Sequence, residues 1–295
     1  MRFLLFSKAD LYGNINLNQL LGALCPEHEV QVCLSDLVMP EERGFPAADF
    51  YLHRSRDFLL DTFFPAVDAR DFADGHGDLL TFSGLSRRYG TEVVELGADP
   101  REARRRTREL AAAFRPDIIL CCRHDYILPL DVFAPASVGS FNLHSGRAPD
   151  YRGPFCSFWT MLRQEEFGCC TLHMLEEKID AGDIVGVARV RMDYAASLMQ
   201  NLMTIYAAGI DSFLRLLPLV CSDSLTRQPQ SPDRGTYFRQ PNVQDVDSFL
   251  AAGRRLVDDG EYSLILERYL PTDVSLGFMP ALRKGGERWQ ISPPA

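Results

Sequence analysis

Asn142 and His144 stand two residues apart at the end of the run GSFNLH, and Asp180 follows His144 by 36 residues inside KIDAGDIV. Alternate side chains of a strand share a face, so Asn142 and His144 point to one side, and a carboxylate brought by a separate loop at Asp180 completes a polar trio. Together these groups suit acyl transfer to an amine. A neutral carboxamide donates a hydrogen bond to a developing oxyanion, an imidazole shuttles the amine proton near neutral pH, and a carboxylate orients and supports that imidazole.

The residues around the trio extend the pattern: Ser145 to Pro149 read SGRAP, Tyr151-Arg152-Gly153 follow, and the loop at Asp180 reads IDAGDIV. With these in place the sequence resembles the 10-formyltetrahydrofolate-dependent formyltransferases, a family that includes the glycinamide ribonucleotide, methionyl-tRNA, amino-sugar and hydroxyornithine enzymes. The family pattern is Asn-x-His, then Ser-Leu-Leu-Pro-x-x-Arg-Gly, then a carboxylate in a Leu/Ile-Asp-x-Gly-x-Ile loop at the same distance from the His. The resemblance spans residues 79 to 192, with a looser match at 1 to 36. It implies formyl transfer from 10-formyltetrahydrofolate, as co-substrate and without a metal, to an amine or hydroxylamine nitrogen.

By the same resemblance, Asn142 holds the formyl oxygen, His144 assists the proton or the oxyanion, and Asp180 orients His144 and relays a proton through water. Losing one such oxyanion donor typically costs about 3 to 4 kcal/mol. The segment RHDYILPLDVF resembles the stretch that wraps the pterin. Arg123, Tyr126, Ile127 and Leu128, with Glu176, Glu177, Lys178 and Ile179, are therefore the expected cofactor contacts. Ser145, Arg147 and Arg152 border the acceptor. Here a glycine and an arginine replace two leucines of the family pattern, which implies an unusual acceptor, with Arg147 suited to a phosphate or carboxylate.

The elements that must position these groups read as an α/β fold: a Rossmann-like domain with a mostly parallel twisted sheet and a small C-terminal α+β extension. RFLLFS and HEVQVCLS are strands around the helix LNQLLGAL. DIILCC, bounded by Pro116 and Arg123, is a central strand buried on both faces. Ala103, Thr107, Leu110, Ala111 and Phe114 share one helical face, and a long amphipathic helix runs from Ser197 to Val220. Residues 37 to 77 break the alternation and read as an insertion within a catalytic domain of residues 1–195, placed to cover the cleft. Its phenylalanines, Phe72 among them, are expected to form a satellite cluster. Residues 196–295 form a helix and a small accessory domain with one helix in DVDSFLAAGRRLV.

The 295 residues, 46% hydrophobic and 24% charged, exclude wholesale disorder. The net charge of -9 argues against a long phosphate-tracking surface. A tail of 75 residues after position 220 that is not visibly basic makes tRNA an unexpected partner. Eight cysteines in adjacent pairs and singles fit neither a disulfide framework nor a zinc site, and neighbours such as Cys121 and Cys122 face opposite sides of a strand. With no signal-peptide core at the start, a cytoplasmic protein without membrane contact is expected. The first turn holds one glycine, Gly13, where a dinucleotide fingerprint needs three.

The expected acceptor is a hydroxyornithine-type amino acid or an amino-sugar nucleotide, with a homodimer left open. The alternatives are a methionyl-tRNA formyltransferase-like enzyme, a formyltetrahydrofolate hydrolase, and a folate-binding protein without turnover.

Overall fold

Odd and even residues of the first strand part company, and that division sets the architecture. In the computed structural model, which describes residues 1–70, 77–231, 234–271 and 276, β1 (Arg2–Lys8) sends Phe3 and Leu5 into one apolar cluster and Leu4 and Phe6 into another. The central strand β4 (Ile118–Cys122) is buried at every residue and divides the same way. Helices on both faces are what such a strand requires. α5 (Pro100–Phe114) covers one face with α6 (Leu130–Phe133). α1 (Leu11–Leu24), α7 (Cys156–Leu162) and α8 (Leu198–Cys221) cover the other.

With β2 (Glu29–Ser35), β3 (Val93–Gly97), β5 (Gly139–His144), β7 (Phe167–Met174) and β8 (Ile184–Arg191), the seven-stranded sheet has the order β3-β2-β1-β4-β5-β7-β8. Pairing is parallel from β3 through β5 and antiparallel from β5 to β8. Two consequences position the site. The strand order reverses between β1 and β4, where ligands collect in open α/β sheets. The antiparallel β7 also runs back along β5 and lays new side chains against its carboxyl end.

Local signals explain the helices. Asp99 caps α5 by accepting from the Arg101 and Glu102 amides, Pro100 opens its first turn, and Arg115 ends it in a left-handed conformation before Pro116. Ala103, Thr107, Ala111 and Phe114 are buried on the expected face, with Leu110 packed at its edge. Ser197 caps α8, whose Leu198, Leu202, Ile205, Tyr206, Ile210 and Phe213 are buried, each worth roughly 1.5 to 3 kcal/mol for a large aliphatic or aromatic side chain. α8 is long and apolar enough to cross a membrane by length and composition alone. It nevertheless lies against β7 and β8 and presents its buried face to the core.

The segment after residue 37 is helical from Pro46 to Asp68. α2 (Pro46–Leu52) runs through wide π-type turns at His53–Asp57 and Leu59–Phe63 into α3 (Phe64–Asp68). Phe58, Phe63 and Phe64 form no satellite; they belong to the main core, because the chain after residue 240 packs on them. α9 (Val243–Ala251) overlaps the expected stretch of 245–257, starting two residues earlier and ending at Ala251, and α10 (Asp259–Glu267) is a second helix not expected from the sequence. Tyr269 meets Phe63 edge-on at 5.8 Å and Phe64 at 5.2 Å, and Phe249 stacks on Phe158 at 4.7 Å. The core is thus continuous across residue 195. α4 (Phe82–Tyr89) precedes β3, and the short strands β6 (Tyr151–Arg152) and β9 (Thr236–Tyr237) pair in parallel. Phe72 lies outside the described residues.

Candidate active site

At the carboxyl end of β5, Asn142 pairs with His173 and His144 with Thr171 in the antiparallel register to β7. Cross-strand partners face the same side, so His173 joins Asn142 and His144. Asp180 arrives from the β7–β8 connection in a left-handed conformation, φ 51°. A Cβ at Gly182 would come within 2.0 Å of the Met174 carbonyl, so this turn closes only with glycine there. Gln230 pins the same loop by donating to the carbonyls of Asp180, at 3.2 Å, and Gly182, at 2.6 Å.

Both oxygens of Asp180 are in use. Oδ2 accepts from the Gly153 amide at 2.9 Å and lies 3.4 Å from His144 Nδ1. Oδ1 accepts from Asn142 Nδ2 at 3.3 Å and lies 3.5 Å from His173 Nε2. His173 Nδ1 lies 2.8 Å from the Met174 carbonyl and His173 Nε2 lies 3.1 Å from Asn142 Nδ2. With the Nδ1 proton given to that carbonyl, Nε2 accepts from Asn142, a tautomer assigned from the network. Burial alone would raise the Asp180 carboxyl, but the His144 and His173 rings in their protonated forms and the Gly153 amide outweigh it and hold the group well below the usual carboxylate range.

His144 is itself only 7% exposed, and its Nε2 donates to the Tyr151 carbonyl at 2.7 Å. That bond fixes the ring and leaves Nδ1 facing Asp180, so a proton taken up on Nδ1 meets a carboxylate. Two glycines permit the approach. A Cβ on Gly146 would lie 2.5 Å from His144 Nε2, and one on Gly153, where φ is +93°, would lie 2.3 Å from the Phe238 carbonyl. Chemically the cluster holds an amide donor, an imidazole with one committed and one basic nitrogen, and an ionised carboxylate that orients both.

The other expected residues fall into distinct places. Tyr126 and Leu128 pack with Leu175 in one apolar cluster, so the loops at 126–128 and 176–179 flank the same end of the sheet. Glu176, Glu177, Lys178 and Ile179 are exposed, as is Ile127. Tyr126 donates from its hydroxyl to the Gly97 carbonyl at 2.8 Å. Arg123 stands apart from these loops: it turns inward with φ 65°, donates from Nε to Asp10 Oδ2 at 2.8 Å, and lies over the Tyr12 ring. Ser145 lines a cavity behind His144, whereas Arg147 is exposed and paired with Asp150 at 3.0 Å. Arg152 donates to the Arg234 carbonyl at 3.1 Å.

Two cavities with shared walls lie at Arg123. One, partly open to solvent, lies between the helical segment at 41–56 and residues 240–256. The second has Ser145 in its wall, and the two share Tyr51, Arg123, Phe155 and Phe158. Neither the place of His173 in the cluster nor those of Tyr51 and Asp10 beside Arg123 was expected from the sequence. His173 carried one usable signal, its alternation with Thr171 on a strand. Among the described residues no three His, Cys, Asp or Glu side chains converge as a metal-holding group.

Residues 87–206 match the family model described as formyl transferase, a span that includes Arg123, Asn142, His144 and Asp180. The methionyl-tRNA formyltransferase of Chlorobium chlorochromatii is 27% identical over 140 residues, covering 48% of this chain and 44% of that protein. The chain thus spans less than half the length of the curated relatives it matches. Among solved structures, the sugar 3N-formyl transferase WlaRD has a TM-score of 0.52 and 16% identity, covering 83% of this chain and 70% of its own. Glycinamide ribonucleotide transformylase 1 from Symbiobacterium toebii has a TM-score of 0.53 and 13% identity, covering 78% and 94%. At these identities the likeness is one of fold.

Proposed function

We propose that this chain, whose residues 87–206 match the formyl transferase family model, moves a formyl group from 10-formyltetrahydrofolate to an amine or hydroxylamine nitrogen of a small molecule. The observation that carries the reading is the convergence of Asn142, His144 and Asp180 at one strand end. The acceptor nitrogen bonds to the formyl carbon, the bond from that carbon to folate N10 breaks, and the acceptor's proton ends on the folate nitrogen. Asn142 turns the N–H it gives Asp180 in the resting site to the carbonyl oxygen as that oxygen gains charge, His144 takes and returns the proton, and Asp180 stays ionised to balance the imidazolium. His173 acts as a positioning residue that fixes the Asn142 carboxamide.

The folate fits the residues present. Ile127 and Ile179 keep 51% and 44% of their surface exposed on the two loops that flank the trio, an apolar rim against which a flat pterin can lie. The backbone of Tyr126 to Leu128 and of Glu176 to Ile179 would hold its edge, with Arg123 on the acceptor side. The solved structure of WlaRD was obtained in the presence of dTDP and 5-N-formyl-THF, which supports a folate of this type. The same reading makes residues 1–195 the catalytic part, residues 196 onward an accessory part closing the acceptor side, the protein soluble and cytoplasmic, and tRNA not its partner. A homodimer is compatible with it.

Release of tetrahydrofolate from 10-formyltetrahydrofolate, followed by absorbance against N5-hydroxyornithine, an amino-sugar nucleotide, methionyl-tRNA and no acceptor, tests the reading. Release that requires one small acceptor is expected. Equal release without any acceptor would make the protein a hydrolase.

A further inference from the structure

The larger chamber opens over the reversal point of the sheet. Lys8 and Asp10 leave the end of β1, Arg123 leaves the end of β4, and all three line the wall. In such a place a phosphate ordinarily sits on a helix N-terminus. Here the chain fills that position itself. Asp10 caps α1 by accepting from the Gly13 amide through Oδ1 at 2.8 Å, its Oδ2 takes the Arg123 Nε hydrogen, and its side chain is 2% exposed.

The remaining wall cations are committed as well. Lys8 Nζ lies 2.9 Å from Asp125 Oδ1 and 3.3 Å from Glu42 Oε1. Arg56 donates to Asp36 at 3.0 Å and to Asp57 at 2.7 Å. Three cations line the chamber, Lys8, Arg56 and Arg123, against three carboxylates, Asp10, Glu41 and Glu42, so the wall is neutral before the further partners Asp36, Asp57 and Asp125 are added. A pyrophosphate would have to displace a buried ion pair or remain unpaired, and either costs several kcal/mol. The rest of the wall is mostly apolar, with Phe45, Leu52, Phe155, Phe158, Val246 and Leu256 set among the polar Tyr51, Ser55 and Gln240.

The second cavity shares Tyr51, Arg123, Phe155 and Phe158 with this chamber, and Ser145, the neighbour of His144, stands in its wall. Cys122 and Leu143 are paired in register, so Arg123 and His144 leave adjacent strands side by side. Resting on the formyl transfer proposed above, we infer that the chamber is the acceptor site and that the acceptor is a phosphate-free primary amine or hydroxylamine with an apolar body. The body lies among Phe45, Leu52, Phe158 and Val246, and the reacting nitrogen passes along the second cavity toward His144.

The test uses phenylethylamine and hexylamine as probes, set beside a thymidine-diphosphate amino sugar and N5-hydroxyornithine. Acceptor-dependent release of tetrahydrofolate is measured for each, and binding of phenylethylamine to the folate-free protein is measured by calorimetry. Two variants fill the chamber from opposite walls, Ala48→Phe and Gln240→Trp, each checked by thermal melting. The expected result is that the apolar amines bind and react, and that at least one folded variant raises their KM and Kd about tenfold or more while the KM for 10-formyltetrahydrofolate stays put. Preference for the phosphate-bearing amino sugar or for N5-hydroxyornithine, absence of phenylethylamine binding, or indifference to filling in every folded variant overturns the inference. If no acceptor releases tetrahydrofolate, the formyl-transfer reading fails, and with it the acceptor assignment. The calorimetry then reports separately whether the chamber binds apolar amines.

Discussion

Replacing Asp180 by Asn changes one oxygen to an NH2 group and keeps the left-handed backbone, since Asn adopts φ near the observed 51° with little strain. In the native site Oδ2 serves the Gly153 amide and His144, and Oδ1 serves Asn142 and sits beside His173. An Asn side chain has one acceptor to offer. If its oxygen stays on Gly153 and His144, its NH2 faces the Asn142 NH2, donor against donor. If it turns over, the buried Gly153 amide is left unpaired. Either choice costs about 1 to 3 kcal/mol of stability. The same change removes the charge that balances a protonated His144, so kcat is expected to fall on the order of 100- to 1000-fold. Tetrahydrofolate release with a saturating acceptor gives kcat, and a denaturant titration gives the stability. A folded Asp180→Asn protein retaining kcat within about threefold of the parent refutes the assigned role of the carboxylate.

Gly146→Ala places a methyl 2.5 Å from His144 Nε2 and 2.7 Å from the Tyr151 carbonyl, so the bond that fixes the ring must break. About 100-fold lower kcat is expected with folate KM unchanged, read from the same release assay. Phe249→Ala removes a fully buried ring stacked on Phe158 and should cost about 3 to 5 kcal/mol in a denaturant melt, raising the acceptor KM as the chamber wall loosens. Burial pulls the His124 imidazole from its ordinary 6.5 down to about 4. The unfolded chain therefore takes up that proton first, and from pH 6.5 toward 4 stability falls by about 3 kcal/mol. His124→Asn, which can still donate to the Ser7 carbonyl, should flatten that part of the curve. Asp180 contributes stability that is lost only as pH falls further, through its depressed titration.

The trio was legible in the sequence because its spacing is a property of the chain: Asn142 and His144 alternate on one strand, and Asp180 follows His144 at 36 residues. The buried β4 and the faces of α5 and α8 were legible for a similar reason, since periodicity reports directly which side packs. His173 was not, because its place opposite Asn142 comes from the antiparallel return of β7, and no local pattern states a strand's direction. The insertion was read as irregular because its wide helical turns shift the apolar positions away from a regular helical repeat. Its phenylalanines looked like a separate cluster because Phe249, Tyr262 and Tyr269, which complete the core around them, lie about two hundred residues away. Asp10 gave no hint of its double duty, since a helix cap and an arginine partner look the same in one dimension.

The continuous core also makes recognition a matter of folding. The chamber has an early wall, from the segment at 41–56, and a late wall, from Gln240 to Leu256, with no covalent link between them nearer than the whole sheet. An acceptor seated there acts as a removable piece of the interior, bridging the two ends of the chain and drawing stability from the contact in proportion to its affinity. The melting temperature of this protein is therefore itself an acceptor assay, readable before any product is identified.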